Sequence, residues 1–150
     1  MSSNSELLSA AAVAAFHLNG QFLDIAEGLA KPAGLTAARW QVLGAVLTVP
    51  LSVAGIARAM GITRQAVQRL ADLLVSEGMA EYVPNPSHRR AKLLCPTAAG
   101  RAAIEQIKPG HSELADRLAA ELGVTELRRA VRSLERLSGA LDALDSADAG

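Results

Sequence analysis

From Glu6 to Ala30 apolar residues recur at helical spacing in two rows. Leu8, Ala12, Ala15, Phe16, Phe22, Leu23 and Ala26 form one, and Leu7, Ala11, Ala14, Leu18, Ile25 and Leu29 the other. A helix apolar on so much of its circumference needs cover on more than one side, which a terminal helix of a 150-residue monomer is poorly placed to find. Pro32 and Gly34 end it. Thr36 then caps a short helix through Leu47 that carries Trp40, Val42, Leu43 and Val46, and Pro50 closes that segment. Ser52 is the next N-cap, opening a helix to about Met60, and Thr63 caps another that runs to about Glu77 before Gly78.

Beyond Gly78 the helical period gives way to two short strand-like runs, Met79 to Val83 and Ala91 to Cys95, separated by Pro84, Asn85, Pro86 and Ser87. This spacing predicts a β-hairpin with a long, basic tip. Thr97, after Pro96, is the N-cap of a further helix, which Pro109-Gly110 should kink or divide near Glu105. The last helix, about Thr125 to Leu144, places Leu127, Leu134 and Leu141 at one heptad position and Ala130, Leu137 and Leu144 three residues on. That is a helix-pairing seam, with Arg128, Arg129, Arg132, Glu135 and Arg136 as a solvated opposite face.

Composition supports the same picture. The chain holds 30 alanines and 22 leucines but only two phenylalanines, one tryptophan and one tyrosine, a balance that favours helix over strand. Hydrophobic residues at 50% and charged residues at 20% exclude intrinsic disorder. No apolar run reaches the roughly 18 residues of a membrane span, and Met1 to Glu6 lacks the basic start of a secretory signal. A lone cysteine forms neither an internal disulfide nor a thiolate zinc cage, so a reducing cytoplasm is the expected compartment. No cofactor or metal site is expected.

The net charge of zero conceals a segregation. Residues 36–97 carry Arg39, Arg58, Arg64, Arg69, Arg89, Arg90 and Lys92 against Asp72, Glu77 and Glu81, while the segments on either side are net acidic. A basic middle between acidic ends points to a polyanionic partner for the middle alone.

Within that middle, Ala57, Gly61, Val67 and Leu70 fall at the spacing of a helix-turn-helix. Ala57 permits close approach, Gly61 accepts a left-handed turn, and Val67 and Leu70 pin the second helix to the first; a plain helical hairpin would satisfy the same spacing. With Ile62, Ala66, Val67, Leu70, Leu73 and Leu74 turned inward, the second helix leaves Thr63, Arg64, Gln65, Gln68 and Arg69 outside. These side chains suit a major groove: glutamine pairs with adenine, arginine with guanine, and threonine with phosphate or a thymine methyl. No acid precedes Asp72 on this helix. The hairpin that follows carries His88, Arg89, Arg90 and Lys92 at its tip, placed to reach a minor groove or the phosphate backbone.

The run from Leu51 to Gly100 resembles the MarR family of bacterial transcription regulators. Carrying the resemblance are Leu35-Thr36 with Arg39-Trp40-Gln41-Val42-Leu43, the helix-turn-helix, Gly78, and the wing from Asn85 to Lys92 leading into Pro96-Thr97-Ala98-Ala99-Gly100. With the long first and last helices, the similarity extends over nearly the whole chain. It implies a mainly α fold with a small β-hairpin wing, a winged helix-turn-helix with long N- and C-terminal dimerisation helices. The implied organisation is a single chain over 1–150, with a DNA-binding lobe at 36–97 and dimerisation helices at 6–31 and 98–145. It further implies a homodimer reading a pseudo-palindromic operator in double-stranded DNA, and a repressor released by a small aromatic or phenolic ligand lodged between dimerisation helices and DNA-binding lobe. In one respect the chain departs from the family pattern: His88 stands where an aspartate commonly precedes the paired wing arginines, and a histidine cannot orient an arginine by a bidentate carboxylate pair.

Phe16, His17, Arg39, Trp40 and His111 are the residues associated with a ligand cleft, although core packing explains Phe16 and Trp40 equally well. Cys95 opens a thiol-responsive alternative; thiol-sensing relatives carry their cysteine in the first helix, where this chain has none, and a small buried hydrophobe is the simpler reading. A winged-helix protein-interaction module without sequence-specific DNA binding is the other alternative, opposed by the exposed Arg64, Gln65, Gln68 and Arg69. An enzyme fails on inventory, since the chain has no phosphate loop, no recognisable Ser/His/Asp grouping and no His/Glu pair at metal-ligand spacing.

Overall fold

Helices begin where the chain supplies caps. In the computed structural model, which describes residues 2–150, Ser3 opens α1 (Asn4–Ala30) through a capping box. Its hydroxyl accepts from the Glu6 N–H at 3.1 Å, and Glu6 Oε2 accepts from the Ser3 N–H at 2.8 Å. That box lies just upstream of the start expected from periodicity. After a short 3-10 turn at Lys31–Ala33, Thr36 caps α2 (Ala37–Ala45), Ser52 caps α3 (Val53–Met60) and Thr63 caps α4 (Arg64–Ser76). Each of these hydroxyls accepts a backbone N–H three residues on, satisfying a donor that the first helical turn would otherwise leave orphaned. Thr97 does the same for Gly100 at the start of α5 (Ala98–Leu122), and α6 (Val124–Asp148) completes the chain.

The expected hairpin is part of a three-stranded antiparallel sheet. β2 (Ala80–Val83) and β3 (Leu93–Pro96) pair in the register Tyr82 with Leu94, and β3 also pairs with the two-residue β1 (Leu51–Ser52), Leu51 opposite Leu94. β3 is therefore the central strand. A two-residue strand has no alternation to detect, and Ser52 doubles as a helix cap, so β1 left no signal in the hydropathy pattern.

The described residues divide into two compact units, one up to Pro109 and one from Gly110 on. In the first, Val42, Leu43 and Val46 of α2, Ile56 of α3, Val67 and Leu74 of α4, Leu94 of β3, and Ile104 and Ile107 of α5 form one buried core. Each large side chain withdrawn from water contributes about 1.5–3 kcal/mol. Gly100 is required where α5 leaves the sheet: a Cβ there would stand 2.0 Å from the Met79 carbonyl oxygen. That same carbonyl accepts from the Thr97 N–H at 3.0 Å, and the Thr97 hydroxyl donates to Gly78 O at 2.6 Å, so the backbones are locked together.

Two expectations about packing need correction. Ile62 and Leu73 are not inward; they are 39% and 47% exposed. The buried stripe of α4 is Val67, Ala71 and Leu74, narrower than a count of apolar residues suggests, and Leu73 lies to its side. Nor does Pro109 divide its helix, since α5 runs unbroken from Ala98 to Leu122. Proline deletes one rung of the hydrogen-bond ladder and crowds the carbonyl four residues back, and in a helix of 25 residues the remaining rungs persist.

The second unit holds the end of α5 and all of α6, in which no residue is buried. Val131, Leu134, Leu137, Leu141 and Leu144 are 40–64% exposed.

Candidate nucleic-acid interface

The turn between α3 and α4 depends on Gly61, whose φ of 69° is the left-handed conformation that L side chains avoid. In it the N–H groups of Gly61 and Ile62 both donate to the Ala57 carbonyl, at 2.9 and 3.2 Å, and Ala57 is itself buried in the core. This closes a helix-turn-helix and launches α4 from Thr63. The Thr63 hydroxyl accepts from the Ala66 N–H at 3.1 Å, so it is engaged as a cap at the very start of the helix. Arg64, Gln65, Gln68 and Arg69 are all exposed on the first two turns, and the first turn has no acid. The unpaired N–H groups and positive end of the helix macrodipole add to the arginine charge there.

The wing is built from consecutive turns. Asn85 Oδ1 accepts from the Ser87 N–H at 3.0 Å, the Asn85 carbonyl from His88 at 3.2 Å, and the His88 carbonyl from Ala91 at 3.3 Å. Backbone turns organised by Asn85 thus shape the tip at the point where a carboxylate would brace an arginine in the family pattern. His88, Arg89, Arg90 and Lys92 are exposed. Between wing and helix lies an open groove of about 630 Å³, walled by Arg64, Gln65 and Gln68 on one side and by Arg90 and Lys92 on the other. Tyr82, Ala91, and Ser52 with Val53 and Ala54 at the start of α3 complete it. Arg69, His88 and Arg89 are exposed outside this groove.

Two residues that sequence reasoning missed join Gln68 in a hydrogen-bonded triangle: Tyr82, which lines the groove, and Asp72, one turn farther along α4. Tyr82 on β2 donates its phenolic hydrogen to Asp72 Oδ1 at 2.6 Å, and Gln68 Nε2 lies 3.0 Å from the same oxygen and 2.9 Å from the Tyr82 hydroxyl. Burial, then the hydrogen bond to Asp72 and its negative charge, push the Tyr82 pKa up to about 12. The phenol therefore stays a neutral donor. The spacing of Gln68 and Asp72, one helical turn apart, was a legible signal for half of this triangle; the strand residue that completes it was not.

The residues associated with a ligand cleft have diverse surroundings. Phe16 and His17 are exposed on α1, Phe16 by 76%. Trp40 is half-buried against the core of the first unit, and His111 is exposed on α5 in the second. Arg39 is already engaged: its guanidinium pairs with both carboxylate oxygens of Glu77, beyond the end of α4, and its Nε donates to the Thr36 hydroxyl at 3.3 Å. Cys95 is half-buried on β3. Among the described residues no group of three or more His, Cys, Asp or Glu side chains is placed to hold a metal ion, and no helix is long and apolar enough to cross a membrane.

A family model described as MarR family matches residues 33–91, the segment from the entry to α2 through the wing. The uncharacterised proteins Rv2011c of Mycobacterium tuberculosis and Mb2034c of Mycobacterium bovis are each 39% identical to this chain over 128 residues, 85% of the chain and 90% of the relative. The chain belongs to the MarR family. Its fold matches that of other members: a crystal structure of a MarR family transcription regulator superposes with a TM-score of 0.80 at 20% identity, covering 95% of each chain. A cysteine-to-serine mutant of Escherichia coli MarR, crystallised with operator DNA, superposes with a TM-score of 0.78 at 22% identity over 91% of this chain and 99% of that one. BpsR of Bordetella bronchiseptica, whose DNA binding is regulated by 6-hydroxynicotinic acid, gives 0.60 at 26% identity over 69% of this chain and 80% of that one. MarR-family proteins are transcription regulators and not enzymes, and the winged helix-turn-helix described above is the family's fold.

Proposed function

We propose that this MarR-family chain is a homodimeric repressor that binds a pseudo-palindromic operator in double-stranded DNA and is released by a small aromatic or phenolic ligand. The observation that carries the reading is the groove in which Arg64, Gln65 and Gln68 of α4 face Arg90 and Lys92 of the wing. In this reading residues 36–97 form the DNA-binding lobe. α4 lies in the major groove with Thr63, Arg64, Gln65, Gln68 and Arg69 toward base edges and flanking phosphates. His88, Arg89, Arg90 and Lys92 of the wing reach the neighbouring backbone or minor groove, where their contribution is mainly electrostatic.

Dimerisation is supported by apolar surface that each unit leaves uncovered. Leu7, Leu8, Val13, Phe16 and Phe22 are exposed on α1, and Leu134, Leu141 and Leu144 on α6. Helices at 6–31 and 98–145 therefore serve as the dimerisation elements, and two recognition helices set about 34 Å apart meet successive turns of the duplex. The effector rests on the likeness to BpsR, with Phe16, His17, Arg39 and Trp40 of the first unit as its candidate contacts. Glu77 holds Arg39 Nη1 and Thr36 holds Nε, so an effector carboxylate either takes the remaining Nη2 or displaces Glu77. The ligand acts by binding more tightly to a dimer whose recognition helices do not match adjacent grooves, so operator DNA must weaken ligand binding by the same factor.

The test is selection of duplexes from a random pool, followed by binding to the selected site and to unrelated duplexes at several salt concentrations. Specific binding about a thousandfold or more tighter than non-specific is expected. Equal affinity for all duplexes would leave a winged helix that does not read sequence. Calorimetry with aromatic acids, 6-hydroxynicotinic acid among them, with and without operator then tests the effector: equal affinity in both cases would remove it.

A further inference from the structure

The triangle of Gln68, Asp72 and Tyr82 does more than join two elements. Asp72 Oδ1 can only accept hydrogen bonds, and the single phenolic hydrogen of Tyr82 is committed to it at 2.6 Å. Both corners can therefore only accept from Gln68, which dictates that the amide nitrogen, and not the carbonyl oxygen, faces them at 3.0 and 2.9 Å. Both contacts draw on the amide nitrogen, and the Gln68 Oε1 takes part in neither, so the carbonyl oxygen is the end of the amide left to address a ligand.

We propose that Tyr82 and Asp72 are positioning residues that hold the Gln68 amide in one orientation by its nitrogen, so that α4 presents Oε1 as a pre-set acceptor to one symmetric pair of base pairs. The inference rests on the reading of α4 as a sequence-reading helix. A long side chain free on a helix surface loses several rotamers when it meets a base edge, and one held by two partners loses fewer. Tyr82 lies on β2, which leads into the wing, and its ring packs against the core of the first unit. Orientation of a base-reading side chain on α4 is thereby set from a different element.

The test uses the full-length protein and a duplex that the wild type selects from a random pool, with each symmetric pair of positions then substituted in turn. Gln68→Ala should flatten base preference at one pair by about tenfold. Tyr82→Phe, which keeps the ring and removes only the hydroxyl, should flatten the same pair by about threefold or more and leave the other pairs and the salt slope unchanged. The double variant should be no worse than Gln68→Ala alone, since Tyr82 acts through the amide. A Tyr82→Phe protein with an unaltered profile, a loss spread evenly over all positions, or additive losses in the double variant would each overturn the proposal. A wild type that selects no duplex would overturn the DNA-reading function as well, which separates the two failures. In the free protein, side-chain amide relaxation of Gln68 should be restricted and should become mobile in Tyr82→Phe; a mobile amide in the wild type also defeats the proposal.

Discussion

Helices α4 and α6 are both amphipathic, yet their exposed faces mean different things. α4 buries Val67, Ala71 and Leu74 against its own chain and exposes arginine and glutamine. α6 buries nothing and exposes a leucine row. The buried stripe accounts for the packing of α4, so Arg64, Gln65 and Arg69 on its polar face are surplus to stability and available for a ligand with complementary donors and acceptors. In α6 the apolar row is stabilising only once something covers it, because a solvated leucine row forgoes the hydrophobic term that holds most helices in place. The heptad spacing fits the cover proposed above, a second copy of the chain.

The sharpest break of this contrast is a charge in the leucine row. In the proposed dimer, Leu134→Asp should place an unpaired carboxylate in the seam at a cost of several kcal/mol, and sedimentation should show dissociation or unfolding in place of a wild-type dimer. A monomeric wild type, or a dimeric variant of unchanged stability, would mean that α6 is simply exposed.

The converse change strips α4 of its polar face. Replacing Arg64, Gln65, Gln68 and Arg69 together by alanine should abolish the preference for the selected duplex, about 4 kcal/mol or more, while circular dichroism and the sedimentation coefficient stay as in the wild type. Full site preference in a folded quadruple variant would place base reading elsewhere.

Self-sufficiency of the first unit is probed at its tightest contact. Gly100→Ala should cost about 1–3 kcal/mol, since the added methyl meets the backbone at Met79 and not a movable side chain. Thermal melting checks it, and the oligomeric state should not change. Smaller still, Arg90→Ala should lower affinity across many sequences and reduce the log–log salt slope by about two for a dimer, at about 0.9 per phosphate contact.

The mildest prediction concerns Tyr82, the single tyrosine of the chain. Its pKa rises from 10.0 to about 12 on folding, so the native state keeps a proton that the unfolded chain releases. Stability from this group is fully present below its unfolded pKa and is lost as pH rises through the folded value. Denaturation midpoints should therefore fall between about pH 10 and 12 more steeply in the wild type than in Tyr82→Phe. Ultraviolet titration reads the ionisation directly, and a midpoint at the ordinary value would show that the bond to Asp72 does not form.

Local features and short periods were legible in the amino-acid order. Thr36, Ser52 and Thr63 announce helix starts because a cap depends on a hydroxyl and the next three residues. Gly61 announces the turn because only its backbone sits easily at positive φ. The exposed row of Arg64, Gln65, Gln68 and Arg69 follows from the 3.6-residue period, and so does the leucine row of α6. Tertiary structure alone decided what lies far apart in the chain. It paired Leu51 with Leu94 to give a third strand, spent Arg39 on Glu77, and brought Tyr82 to Gln68 and Asp72. It also turned Leu73 out of the core, where hydropathy had placed it. A side chain's own chemistry limits what it can bond, but which partner it meets across tens of residues depends on how whole elements pack, and no local pattern records that choice.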